Sequence, residues 1–154
     1  MDNKHFLATI RQLALCYQAF DRFSTKKIQA SGLSHRQFDI IATLGNTPGM
    51  SPKELGEKTL ITKGTLTGII KRLEDKNLVQ RTPSPLDGRS QIIQLTPAGE
   101  AQFDEIFPLL LAAMGKAFSD FKAKDYQRVQ NALQDLRAVF VDEKVDENIG
   151  ENGQ

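Results

Sequence analysis

Residues 51–95 confine the chain to few folds, because they set two short helices, a tight turn and two short strands in immediate succession. Ser51-Pro52-Lys53-Glu54 reads as a helix start, with an N-cap serine, proline at the first helical position and a glutamate three residues after the serine. Leu55 and Leu60 are expected to face inward, Gly56 to permit close helix packing, and residues 59–61 to turn the chain. A second helix follows over about residues 62–76, where Leu66, Ile69, Ile70 and Leu73 stand at i, i+3, i+4 and i+7 and form one buried stripe. Its opposite face centres on Gly64, Gly68 and Lys71, flanked by Thr65, Thr67 and Arg72. Each glycine there costs about 1 kcal/mol relative to alanine. Such a face suits a helix whose backbone another large molecule must approach closely, and it suits a poorly optimised surface helix equally well.

Asn77 reads as a left-handed terminator of that helix. Residues 78–82 and 91–95 read as short strands, joined by a loop with two prolines and the tight Asp87-Gly88 tip. A two-stranded ribbon is barely stable alone, so it must lean on the helices. Thr96 and Pro97 then start a helix that runs through Phe103, Phe107, Leu110, Leu111 and Met114 to about residue 119, and Pro108 is expected to bend it. A last helix over about 123–142 carries Tyr126, Val129, Leu133, Leu136 and Phe140 at spacings of 3, 4, 3 and 4. Upstream, residues 4–30 form a long helix in which Phe6, Ile10, Leu13, Tyr17 and Phe20 are spaced 4, 3, 4 and 3, a heptad-like seam. Gly32 ends it, and Ser34 with Gln37 opens the next helix as a capping box, which closes at Gly45. The Pro97 helix is apolar on more than one side, and a second copy of the chain is the simplest cover for it.

Charge is informative only through its placement. The 154 residues carry a formal net charge of +1. From residue 142 onward, five acids face Lys144 alone, so this tail carries −4 and residues 1–141 carry +5. Within 62–95 six bases oppose three acids, a local +3 that suits a phosphate contact. No run approaches the roughly 18 apolar residues that span a membrane, and the N-terminus lacks a secretory layout. The single cysteine, Cys16, fits a reducing compartment, so a cytoplasmic location is expected. His5 and His35 have no ligand-like spacing, and Gly56-Glu57-Lys58-Thr59 lacks the first glycine of a phosphate loop. Neither enzymatic activity, a metal nor a cofactor is expected.

Two short helices with a tight turn, the second exposing small and basic groups, form a helix-turn-helix. The 62–72 helix fits a DNA major groove, with Lys63, Thr65, Thr67, Lys71 and Arg72 as donors, while Arg89 at the ribbon tip reaches the adjacent minor groove. Asp87 is expected to accept from Arg89 and hold it in one rotamer. A protein-interaction module and an architectural DNA binder are the rival classes.

The chain resembles the MarR-type winged-helix regulators. The resemblance rests on Leu33-Ser34-His35-Arg36-Gln37-Phe38, Ser51-Pro52-Lys53-Glu54-Leu55 and Thr65-Leu66-Thr67-Gly68-Ile69-Ile70-Lys71-Arg72-Leu73-Glu74. It continues in Leu78-Val79-Gln80-Arg81, Asp87-Gly88-Arg89-Ser90 and Leu95-Thr96-Pro97-Ala98-Gly99. It implies a mainly α fold, an α+β winged helix-turn-helix with long N- and C-terminal dimerisation helices. The expected divisions are a dimerisation helix at 1–32, the DNA-binding domain at 33–96, dimerisation helices at 97–143 and a disordered acidic tail at 144–154. It further implies a homodimer on palindromic double-stranded DNA, usually a repressor released by a small-molecule effector or an oxidant. Carried over by position, residues 62–72 become the recognition helix, Arg89 the wing arginine, Asp87 its partner, and Arg81 and Ser90 backbone contacts. The expected contact set is Ser51, Thr62, Lys63, Gly64, Thr65, Thr67, Gly68, Lys71, Arg72, Arg81, Asp87, Arg89 and Ser90. An effector cleft would draw on Tyr17, Phe20, Phe38 and Phe107. One branch of the family senses peroxide through a first-helix cysteine, but Cys16 lies nearer to Gln37 than in that branch and reads as a small hydrophobe. The family pattern is broken at Asn77, which replaces a glycine, and at Gly68, where a larger side chain is usual.

Overall fold

Start and stop signals in the sequence place most element ends in the computed structural model, which describes residues 3–141. Helix α1 spans Lys4–Ile28 and tightens into a 3-10 turn over Gln29–Ser31, closed by Gly32 at a left-handed φ of +73°. The capping box of α2 (His35–Leu44) is complete: Ser34 Oγ accepts from the Gln37 amide at 3.1 Å, and Gln37 Oε1 accepts from the Ser34 amide at 3.1 Å. Ser51 Oγ likewise accepts from the Glu54 amide at 3.1 Å and, with Pro52, starts α3 (Pro52–Thr59). Helix α4 covers Lys63–Asp75, and α5 and α6 cover Pro97–Ala117 and Ala123–Val141.

Strands β1 (Val79–Pro83) and β2 (Gln91–Leu95) pair antiparallel, in register from Val79 opposite Leu95 to Pro83 opposite Gln91. Pro83, expected in the loop, is thus the last paired residue of β1. The ribbon is anchored at its base. Met50 and Ile93 exchange both backbone hydrogen bonds, at 3.0 and 2.8 Å, and so dock the segment before α3 onto β2. Gly49 turns into this bridge at φ +100°, where an added Cβ would lie 2.7 Å from the Ile93 carbonyl oxygen. On the other side, Thr96 Oγ1 donates to the Asn77 carbonyl at 2.6 Å and accepts from the Gly99 amide at 3.1 Å. One buried hydroxyl therefore joins the end of α4, the end of β2 and the start of α5. Asn77 takes the left-handed conformation read from the sequence, at φ +58°.

The residues divide at Met114 into two compact units. In the first, Ile40, Ile41 and Leu44 of α2 meet Leu55 of α3, Ile70 and Leu73 of α4 and Ile93 of β2, all at most 1% exposed. The stripe Leu66, Ile69, Ile70 and Leu73 faces this core as its spacing requires. In the second unit, Phe118, Phe121 and Tyr126 form an aromatic cluster with centroids 5.0–5.7 Å apart.

One expectation fails. Leu60 does not face inward: the chain leaves α3 through a left-handed Leu60 (φ +59°), which turns its side chain out to 88% exposure. Helix α5 extends from Pro97 to Ala117 with Pro108 inside it. The apolar seams are not buried within one chain. Phe6, Ile10, Leu13, Tyr17 and Phe20 on α1, Leu109 and Leu111 on α5, and Leu133 and Phe140 on α6 are all exposed. Residues 144–154, read as a disordered tail, lie outside the described residues.

Candidate nucleic-acid interface

With its apolar stripe turned to the core, α4 must turn Gly64 and Gly68 outward. Nothing lies within 4 Å of a Cβ built on either glycine, so the fold itself does not require their small size. The two thus open a shallow lane along the helix, bordered by polar groups. Thr62, the extended N-cap, makes no side-chain capping bond; its hydroxyl donates instead to Thr65 Oγ1 at 3.2 Å. Thr67 Oγ1 donates back to the Lys63 carbonyl at 3.0 Å. Both Thr65 and Thr67 lie on the exposed face of the helix. Lys63 and Arg72 are exposed and make no ion pair among the described residues.

Two of the expected donors are already engaged. Lys71 Nζ donates to Asp75 Oδ1 at 2.8 Å across one helical turn, with the two side chains 69% and 61% exposed. The hydrogen bond to Asp75 raises the Lys71 pKa above its ordinary value. Arg81 on β1 is held through Nε by Glu74 Oε1 at 2.8 Å, with the side chains 35% and 28% exposed. The pairing of Arg81 cannot be read from spacing alone, because it forms only after the left-handed Asn77 folds β1 back against α4.

The ribbon tip corrects a further expectation. Asp87 does not clamp the Arg89 guanidinium. Its Oδ1 accepts from the Arg89 backbone amide at 3.0 Å and its Oδ2 from the Ser90 hydroxyl at 3.1 Å, an Asx-type turn that shapes the tip itself. The Ser84 amide donates to the Ser90 carbonyl at 2.8 Å and closes the loop behind it. The Arg89 side chain is exposed and makes no ion pair among the described residues, and Leu86 nearby in the loop is 99% exposed. Ser51 uses its hydroxyl oxygen as the α3 cap, which leaves the hydroxyl proton available.

Sequence reasoning assigns Lys76 no role in holding the fold. Its ammonium donates to the Gly32 carbonyl at 3.1 Å and to Gln37 Oε1 at 3.3 Å, and so ties the end of α4 to the α1–α2 corner. No local pattern signals a contact over 44 residues. A cleft of about 620 Å³ lies between α3 and α4 with Pro52, Gly56, Leu60, Ile61, Leu66 and Arg81 in its wall. The residues expected to line an effector cleft are placed elsewhere. Phe38 is buried in the core, and Phe107 is partly buried and stacked on Phe103 at 4.8 Å. Tyr17 and Phe20 are exposed, and Phe20 meets His35 edge-on at 5.5 Å. His35 Nε2 lies 3.3 Å from Asp39 Oδ2, and burial raises the Asp39 carboxyl above its ordinary value despite that neighbour. Cys16, read as a small buried hydrophobe, is exposed. Among the described residues no helix is long and apolar enough to cross a membrane.

Comparison with known proteins points in one direction. Residues 31–90 match the model of the MarR family. The HTH-type transcriptional regulator SarZ of Staphylococcus haemolyticus is 30% identical over 116 residues, covering 75% of this chain and 76% of that protein. Two solved structures share the fold. One is E. coli MarR, carrying a substitution and in complex with operator DNA, with a TM-score of 0.75 at 20% identity over 88% of this chain and 98% of that one. The other is Bordetella bronchiseptica BpsR, whose DNA binding is regulated by 6-hydroxynicotinic acid, with a TM-score of 0.71 at 24% identity over 82% and 91%.

Proposed function

The chain belongs to the MarR family of DNA-binding transcriptional regulators, and from that membership we propose that it is a cytoplasmic homodimer that binds a palindromic operator and represses transcription until a small effector releases it. The observation that carries the DNA reading is the exposed face of α4, where two glycines open the backbone between Lys63, Thr65, Thr67 and Arg72. On this reading α4 lies in the major groove and the Arg89 tip in the flanking minor groove. Residues 33–96 are the DNA-binding domain, and the helices of 1–32 and 97–143 make the dimer. The exposed apolar residues of α1, and separately those of α6, support that dimer, since apolar stripes left open in one chain mark an interface. The regulation of BpsR by 6-hydroxynicotinic acid supports a small effector here, and Tyr17, Phe20, Phe38 and Phe107 remain the proposed contributors to its cleft.

The test is binding of a labelled duplex from upstream of the protein's own gene, in competition with unlabelled unrelated duplex. A specific regulator prefers its site by at least about 10³-fold. Equal competition by unrelated duplex would make it an architectural binder. Absence of duplex binding even at low salt would make it a protein-interaction module.

A further inference from the structure

Two carboxylates at the end of α4, Glu74 and Asp75, lie on or beside the face assigned to DNA, where phosphates should repel them. They differ in what they hold. Asp75 pairs with Lys71 in the open, an ion pair that an approaching phosphate can replace. Glu74 takes only the Nε–H of Arg81, in a half-buried pair, and leaves the Nη–H donors of the guanidinium without an acceptor among the described residues. Thr67, Ile70 and Glu74 follow one stripe of α4, and Arg81 shares a cleft wall with Thr67, Ile70, Lys53 and Lys63. The arginine is therefore laid along the flank of α4. Its side chain stays 35% exposed, in the same cleft wall as Lys63.

We propose that Glu74 is a positioning residue for DNA binding, which fixes the Arg81 guanidinium against α4 so that its Nη groups meet a backbone phosphate already ordered. The inference rests on the reading of this face as the DNA surface. Ordering a free arginine on binding would otherwise weaken affinity by about two- to tenfold. Position and charge make opposite demands here. A carboxylate acting only through its charge weakens binding, so its removal tightens the complex. A carboxylate that aims Arg81 strengthens binding, so its removal loosens it.

Dissociation constants for one duplex at fixed salt, measured by anisotropy, separate the two. Glu74→Ala is expected to weaken binding about two- to tenfold, although it removes a negative charge. Glu74→Gln keeps an acceptor oxygen for Nε–H and restores at least the parent affinity. Asp75→Asn, on the open pair, tightens binding. In an Arg81→Ala background Glu74→Ala no longer weakens the complex. Tightening by Glu74→Ala with Arg81 present overturns the proposal, as does equal weakening in both backgrounds, which would place the effect of Glu74 in folding. Failure of the parent to bind any duplex is a different result, and it would overturn the DNA reading itself.

Discussion

Replacing Gly68 by alanine should make the protein more stable and a poorer DNA binder at once. In the middle of α4 a glycine costs about 0.8–1.0 kcal/mol relative to alanine, and the added Cβ meets nothing within 4 Å. The whole propensity difference should therefore appear as folding stability. For a chain of this length it corresponds to a rise of about 2–4 °C in Tm, compared at matched protein concentration because a dimer's Tm depends on it. Binding moves the other way. If the lane between Gly64 and Gly68 receives the DNA, one methyl group in it spoils a contact worth about 1–3 kcal/mol, the scale of a mismatched base pair. Thermal unfolding and duplex anisotropy on the same preparation check both halves. A stabilised variant with unchanged affinity would refute close approach of DNA to this backbone. A destabilised one would mean that the glycine serves the fold.

Other perturbations follow from single contacts. Thr96→Val removes the donor to the Asn77 carbonyl and the cap of the Gly99 amide; loss of the cap costs about 1 kcal/mol and loss of the bond to the carbonyl about 0.5–1.5 kcal/mol. Urea unfolding should show a loss near their sum, with Thr96→Ser close to the parent. The Asp39 carboxyl, raised by burial, binds its proton more tightly folded than unfolded, so its contribution to stability declines as pH rises from the unfolded value of 3.8 through the raised folded value. The stability of Asp39→Asn relative to the parent should therefore grow across that window and level off above it, which urea titrations at a series of pH values measure. Leu13→Glu or Leu133→Glu places a charge on a residue already exposed in one chain. Either should convert the proposed dimer to monomer or unfolded chain in analytical ultracentrifugation, and an intact dimer would remove that helix from the interface.

Most of the fold is legible in the sequence because its boundaries are chemical. Ser34 with Gln37, Ser51 with Pro52, and Thr96 with Pro97 signal three helix starts, and Asn77 signals a left-handed stop; the structure shows all four. The period of Leu66, Ile69, Ile70 and Leu73 sets which face of α4 is open. What the sequence hides depends on where the chain goes after an element ends. Leu60 lies beyond the last residue of α3, so helical phase no longer governs it, and its left-handed φ turns it outward. The pairing of Arg81 with Glu74 and of Lys76 with Gly32 and Gln37 are contacts between separate elements. Asp87 falls in the turn that its Asp-Gly pair signals, but its partner differs, because an aspartate two residues before an amide can bond backbone as readily as side chain. Cys16 is one helical position from Tyr17, itself exposed, so proximity to an apolar seam does not imply burial within one chain.

The central claim is that the face built by α4 and the ribbon tip holds double-stranded DNA through its free bases. The dependence of duplex affinity on salt tests it most directly. The parent should show a linear log–log loss of affinity, with a slope of about −0.9 for each phosphate neutralised. Arg89→Ala should lower the magnitude of that slope by about one for each wing that meets the duplex, and weaken binding most where the flanks are A/T-rich. An unchanged slope and affinity in Arg89→Ala would contradict the placement of the wing, and a parent affinity insensitive to salt would contradict the assignment of the whole face.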